Sequence, residues 1–179
     1  LAIFFSIQTH ARCGIWKNGL TLWNDVIRQY QTVPQAYYNR GALLMKDNKN
    51  DEAMKDFNKA IELKPDYVEA YNNRGTLLMK VNKNEEARKD FNKGIELDPD
   101  FVNAYYNRGT LFMNENKSEE ARKDFNKAIA LKPDYYKAYN NLGVIFSIEK
   151  NYAEAIDHFS KAIEFNEQYA EAIRNRGMA

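Results

Sequence analysis

Asn39, Asn73, Asn107, Asn141 and Asn175 recur every 34 residues. A carboxamide offers a donor and an acceptor together, so a row of them can satisfy peptide units whatever side chains those units carry. The other use of such amides is to cap or crosslink neighbouring helices. A second polar set keeps the same period: Arg40, Arg74 and Arg108, each followed sixteen residues later by Asp56, Asp90 or Asp124. Where the fourth copy replaces the cation with Leu142, it also replaces the acid with His158. The paired change predicts an Arg–carboxylate contact across the two helices of one unit, with a structural role. Removing one partner would cost roughly 3–5 kcal/mol if the pair is buried and under about 1 kcal/mol if it is exposed.

Other chemistries find little footing. His10 and His158 stand far apart with no third ligand beside them, so no metal site is expected. A lone Cys13 allows no intrachain disulfide. Asp47-Asn48-Lys49-Asn50-Asp51 lacks the turn glycine and closing glutamate of a calcium loop. There is no phosphate loop and no nucleophile elbow, so no catalytic residue and no cofactor are expected. The 26 basic and 25 acidic residues leave a net charge of +1, which argues against the clustered basic face that nucleic acid requires. Asp51–Lys55, Glu85–Lys89 and Glu119–Lys123 read as a self-paired, solvated face. Asn116-Lys117-Ser118 is a glycosylation sequon, relevant only in a glycosylating compartment.

The elements that carry these groups follow from three rulers. Tyr71-Asn72-Asn73-Arg74-Gly75 stands again at Tyr37–Gly41 and Tyr105–Gly109, and with changes at Tyr139–Gly143 and Ile173–Gly177. Ala53, Ala87, Ala121 and Ala155 are each followed by Phe57, Phe91, Phe125 or Phe159, and Pro65, Pro99 and Pro133 close three units. Tyr71, Gly75 and Leu78 share one helical face, and Ala87, Phe91, Gly94 and Ile95 share another. Asn82-Lys83-Asn84 supplies the turn between them, and turns are expected likewise near Asn48, Asn116 and Asn151. Gly75 and Ala87 let the two helices cross closely, while Phe91 fills the gap against the next unit. Such units are stable only when stacked, and Phe91→Ala should cost roughly 3–5 kcal/mol.

At these residues the chain resembles the tetratricopeptide repeat (TPR) family. The resemblance implies an all-α fold, a right-handed α-solenoid of antiparallel helix pairs. It gives four units at 34–67, 68–101, 102–135 and 136–169, after a degenerate unit at 1–33 and before 170–179, the first helix of a truncated fifth unit or a cap. In this family the first helices line a concave groove, which would place Asn39, Asn73, Asn107 and Asn141 there. Tyr38, Tyr106, Thr76 and Thr110 would flank them. A similar asparagine ladder in O-GlcNAc transferase grips extended peptide backbone, which implies a non-catalytic scaffold for a protein or peptide partner. Exposed groove amides would contribute little stability. The family's clamp for acidic chaperone tails is not matched: its positions fall on Tyr38, Ala42, Asn73, Asn103 and Asn107, or one unit on, on Asn72, Thr76, Asn107, Lys137 and Asn141.

The start is apolar, Leu1-Ala2-Ile3-Phe4-Phe5-Ser6-Ile7, too short alone to span a bilayer. In register, Leu1–Cys13 would be a first helix, Gly14 the turn, and Trp23 the counterpart of the ruler phenylalanine. The stretch from Trp16 to Val26 is similar to the junction between a last hydrophobic helix and a repeat array in polytopic membrane proteins related to TPR-containing O-mannosyltransferases. That resemblance implies a second reading, an accessory domain positioning acceptor proteins for a membrane-anchored, glycosyltransferase-like parent. Without it, a soluble cytoplasmic protein is expected.

Overall fold

The computed structural model describes residues 17–179, which form ten α-helices and no strand. The helix expected at Leu1–Cys13 and the turn expected at Gly14 lie outside the described residues, as does Trp16. The helices are α1 (Gly19–Gln29), α2 (Pro34–Lys46), α3 (Asn50–Leu63), α4 (Val68–Lys80) and α5 (Asn84–Leu97), followed by α6 (Val102–Asn114), α7 (Ser118–Leu131), α8 (Tyr136–Ile148), α9 (Tyr152–Phe165) and α10 (Ala170–Met178). The expected all-α solenoid is what forms.

Local chemistry sets the ends. Pro34 opens α2 at a position where its missing N–H costs nothing. Asp51 and Glu52, Glu85 and Glu86, and Glu119 and Glu120 occupy the first turns of α3, α5 and α7, where a negative charge complements the helix dipole. First helices end in left-handed residues, Asn48 at φ 59°, Asn82 at 60° and Asn116 at 58°. After α2, Asn48 N–H donates to Met45 and Lys49 N–H to Leu44, the paired bonds of a Schellman closure. In the last turn of this kind the left-handed residue is Lys150, at φ 62°, one place before the expected Asn151.

The two helices of each pair meet at the glycine. A Cβ on Gly75 would sit 2.7 Å from Phe91, and one on Gly143 would sit 2.6 Å from Phe159. Phe57, Phe91 and Phe125 are fully buried. Each phenylalanine therefore packs on the glycine of its own unit. It also reaches forward, Phe57 clustering with Leu77 and Phe91 with Leu111 of the next first helix. Successive first helices touch one another, whereas successive second helices do not. The stack thus curves with α2, α4, α6, α8 and α10 on its inner side.

The expected Arg–Asp pairs are present. Arg40, Arg74 and Arg108 each give Nε and Nη2 to one carboxylate, on Asp56, Asp90 and Asp124, at 2.7–2.8 Å. The third nitrogen of each guanidinium reaches back to Asn24, Asn58 or Asn92 on the preceding second helix, at 2.7–2.8 Å. Bonding to Asp56 and Asp90 pushes the pKa values of Arg40 and Arg74 further up. In the fourth pair Leu142 is buried, and His158 stacks on Phe146 with centroids 5.2 Å apart and planes 5° from parallel. Its Nδ1 is buried with no hydrogen-bond partner among the described residues. Burial and then Lys161 push the imidazole pKa down, against the opposite pull of Asp157 and Glu154. The outer link to this unit is different: Arg122 of α7 pairs with Glu149 at 3.0 Å and lies over Phe146.

Candidate functional site

The inner face is built from the residue pair that precedes each Arg-Gly or Leu-Gly step. Asn73 Nδ2 donates across the interface to Tyr38 Oη at 3.3 Å, and Asn107 Nδ2 to Asn72 Oδ1 at 2.8 Å. Asn141 Nδ2 donates to Tyr106 Oη at 3.5 Å, the outer limit of such a bond, and Asn175 Nδ2 to Asn140 Oδ1 at 3.1 Å. Each amide thus reaches the residue 35 positions earlier, on the preceding first helix. For Asn39 that residue is Phe4, which lies outside the described residues; Asn39 accepts from Gln35 at 3.1 Å.

Side by side, the crossings join into relays. Asn107 gives to Asn72, Asn72 Nδ2 gives to Asn73 Oδ1 at 3.4 Å, and Asn73 gives to Tyr38. Asn175, Asn140, Asn141 and Tyr106 repeat that relay 68 residues further on. The super-period comes from one position that alternates Tyr38, Asn72, Tyr106 and Asn140. Asn72 and Asn140 were not among the expected site residues, although their alternation is visible in the sequence.

The flanking groups have less freedom than expected. Tyr38 packs against Phe57 and Tyr67, and Tyr106 against Phe125 and Tyr135, with centroids 5.0–6.2 Å apart. Burial raises the pKa of both phenols, leaving them protonated donors at neutral pH. Thr76 and Thr110 spend their hydroxyl hydrogens on the main-chain carbonyls of Asn72 and Tyr106, at 2.9 and 3.0 Å. Thr76 Oγ1 also accepts from Asn107 at 3.3 Å. The ladder amides are not freely exposed side chains: Asn141 is 7% exposed, and Asn72 and Asn140 are 6% and 0% exposed. They bond across adjacent helices, whereas the sequence reading expects them to be exposed groove amides.

The outer side carries recesses of about 250 and 380 Å³. One is lined by Lys49, Glu52 and Lys55 beside Arg40–Asp56, the other by Lys83, Glu86 and Lys89 beside Arg74–Asp90. Both are floored by guanidinium groups that already give three of their five N–H donors to the paired aspartate and to Asn24 or Asn58. Among the described residues no cluster of His, Cys, Asp and Glu side chains could hold a metal ion, and no helix is long and apolar enough to cross a membrane.

Residues 34–67, 68–101, 102–135 and 136–169 each match the profile of the tetratricopeptide repeat. No curated protein matches the chain. Among solved structures, YrrB, described as a TPR protein with an unusual peptide-binding site, is 21% identical with a TM-score of 0.70 and covers 98% of this chain and 88% of its own. A thermophilic TPR protein of Thermus thermophilus, TTC0263, is 17% identical, with a TM-score of 0.77 over 97% and 94% of the two chains. The first TPR of Spaghetti (RPAP3), bound to the HSP90 peptide SRMEEVD, is 26% identical, with a TM-score of 0.62 over 65% of this chain and 93% of its own. None of these comparisons links the Trp16–Val26 stretch to O-mannosyltransferase-like membrane proteins.

Proposed function

The chain belongs to the tetratricopeptide repeat family, and on that premise we propose that its inner face holds an extended segment of another protein without catalysing a reaction on it. Asn39, Asn73, Asn107 and Asn141 meet the backbone of that segment, with Tyr38, Tyr106, Thr76 and Thr110 forming the flanks. The helix Ala170–Met178 serves as the first helix of a fifth unit or as a cap. The observation that carries the reading is the crosslinking itself. Each described ladder amide from Asn73 onward is anchored by a bond to the preceding unit, so its remaining hydrogen-bonding capacity is oriented before a ligand arrives. Preorganisation of this kind lowers the entropic cost of binding. The peptide-binding description of YrrB and the peptide held by Spaghetti support a protein partner as a class. The acidic peptide itself is not carried over, because the clamp positions hold Tyr38, Ala42 and Asn103 where cations and an amide would be needed.

A peptide selected from a displayed random dodecamer library on the whole chain tests this. Asn73→Ala and Asn107→Ala should each weaken it by about 0.5–1.5 kcal/mol, the net worth of a neutral hydrogen bond. Added salt should change affinity little, since no clamp charge takes part. Melting curves give the folded fraction for each variant. Affinity per folded molecule that stays at the wild-type value in both variants would assign the ladder to structure alone.

A further inference from the structure

The two relays end differently from the way they begin. Tyr38 Oη accepts from Asn73, and its own hydrogen has no acceptor among the described residues. Tyr106 Oη accepts from Asn141 in the same way, although the Thr110 hydroxyl stands close to it. At the opposite ends, Asn107 uses its amide nitrogen on Asn72 and Thr76, and Asn175 uses its nitrogen on Asn140. Both keep a carbonyl oxygen with no partner among the described residues. The asparagines between them are partly occupied: Asn73 Oδ1 and Asn141 Oδ1 each already accept one bond, from Asn72 and Asn140 at 3.4 Å, and keep one lone pair.

Resting on the reading that the groove holds an extended peptide, we propose that it reads peptide backbone with a period of two units. Tyr38 and Tyr106 each donate to a ligand carbonyl, Asn107 and Asn175 each accept a ligand N–H with an unoccupied oxygen, and the intervening Asn73 and Asn141, each with one acceptor site already taken, accept more weakly. Tyr106 and Asn107 are neighbours in sequence, so the third unit presents a donor and an acceptor together, the donor shared with Thr110. The first unit supplies a donor alone and the fifth an acceptor alone. Polarisation runs the same way along each relay, since both N–H groups that cross between units point toward the N-terminal unit and the middle one joins them within a unit. A chain of this kind strengthens the donor left at its end.

The spacing fixes what the ligand must be. Packed helices lie about 8–10 Å apart, so two units span about 16–20 Å. An extended chain rises about 3.3 Å per residue, so equivalent contacts fall about five or six residues apart on the ligand. Side chains between the contacts are not constrained by these groups.

The experiment is an ester scan of the library-selected dodecamer, in which each backbone N–H is replaced in turn by oxygen. Two positions five or six residues apart should lose about three- to tenfold in affinity, the equivalent of one neutral hydrogen bond. Asn107→Ala should abolish the loss at one of them while leaving the other. Tyr38→Phe should weaken the all-amide peptide about threefold or more, and Tyr106→Phe should do so less, because Thr110 competes for its hydrogen. Titration per folded molecule, with melting curves alongside, separates these effects from stability. Sensitive positions about three residues apart, one per unit, would overturn the two-unit period while leaving peptide binding intact. So would an ester scan that is flat across the peptide. A library that yields no peptide competing for this face would sink the binding reading itself, and this inference with it.

Discussion

Asp90 accepts the Nε and Nη2 hydrogens of Arg74 together, at 2.7 Å each. The acid side chain is 8% exposed and the cation 22%, so the carboxylate is the group that suffers most when the pair is broken. Arg74→Leu should therefore cost roughly 3 kcal/mol, near the lower end for an orphaned buried charge. Combining it with Asp90→His, the arrangement natural to Leu142 and His158, should cost less than the single change. Chemical denaturation of the four members of the cycle checks this. Losses that simply add would mean that the two side chains do not act together.

Gly94 stands where the other units place Ala60, Ala128 and Ala162. A Cβ added there would meet only ordinary contacts, 3.7 Å to Ala104 and 3.9 Å to Val68. Gly94→Ala should raise stability by about 0.5–1 kcal/mol, since alanine leaves less backbone freedom to lose in a helix. A lower melting temperature in the variant would show that the contact is tighter than these distances allow.

Lys150 adopts the left-handed conformation that asparagine adopts in the other three turns. A residue with a long side chain is strained there by roughly 1–2 kcal/mol, whereas glycine and asparagine tolerate the position. Lys150→Asn should stabilise the chain by about 0.5 kcal/mol, and Asn116→Lys should destabilise it by a similar amount. Thermal unfolding of both variants reads the two signs. If both shifts take the same sign, backbone strain is not the cause.

His158 is held neutral by burial, its pKa below the ordinary 6.5. The unfolded chain binds a proton there more readily than the folded one, so stability should be complete above about pH 6.5 and decline as pH falls toward the depressed folded value. His158→Leu should remove that part of the acid destabilisation. Melting temperatures between pH 7.5 and 5 measure it, and an unchanged pH slope in the variant would place the titrating group elsewhere.

The architecture is legible in the sequence because one steric demand repeats. Gly41, Gly75, Gly109 and Gly143 can be nothing larger while Phe57, Phe91, Phe125 and Phe159 lie against them, and that demand writes the 34-residue period into the chain. The Arg–Asp pairs are legible because Leu142 and His158 change together. Asn58 and its equivalents are not, since an asparagine within Lys-Asp-Phe-Asn-Lys looks like any solvated residue. The ladder positions are visible, but their bonding is not. A crossing offset of 35 residues depends on how far one helix advances past the next, and no single unit contains that information. The last turn forms near Asn151 as expected, but its left-handed site is Lys150, because the repeat fixes that site at the same place in every unit. Asn151 carries the usual turn chemistry one residue too late.

The substitution of Leu142 for arginine also has a mechanical consequence. Across the first three units a guanidinium ties one second helix to the next through Asn24, Asn58 and Asn92, while amides tie the first helices on the inside. At the fourth unit the outer tie is an ion pair, Arg122 to Glu149, with side chains 24% and 35% exposed. Ions in solution reach such a pair and weaken it. Rising ionic strength should therefore loosen the outer tie between the third and fourth units more than the guanidinium ties of the earlier ones, whose aspartates are buried.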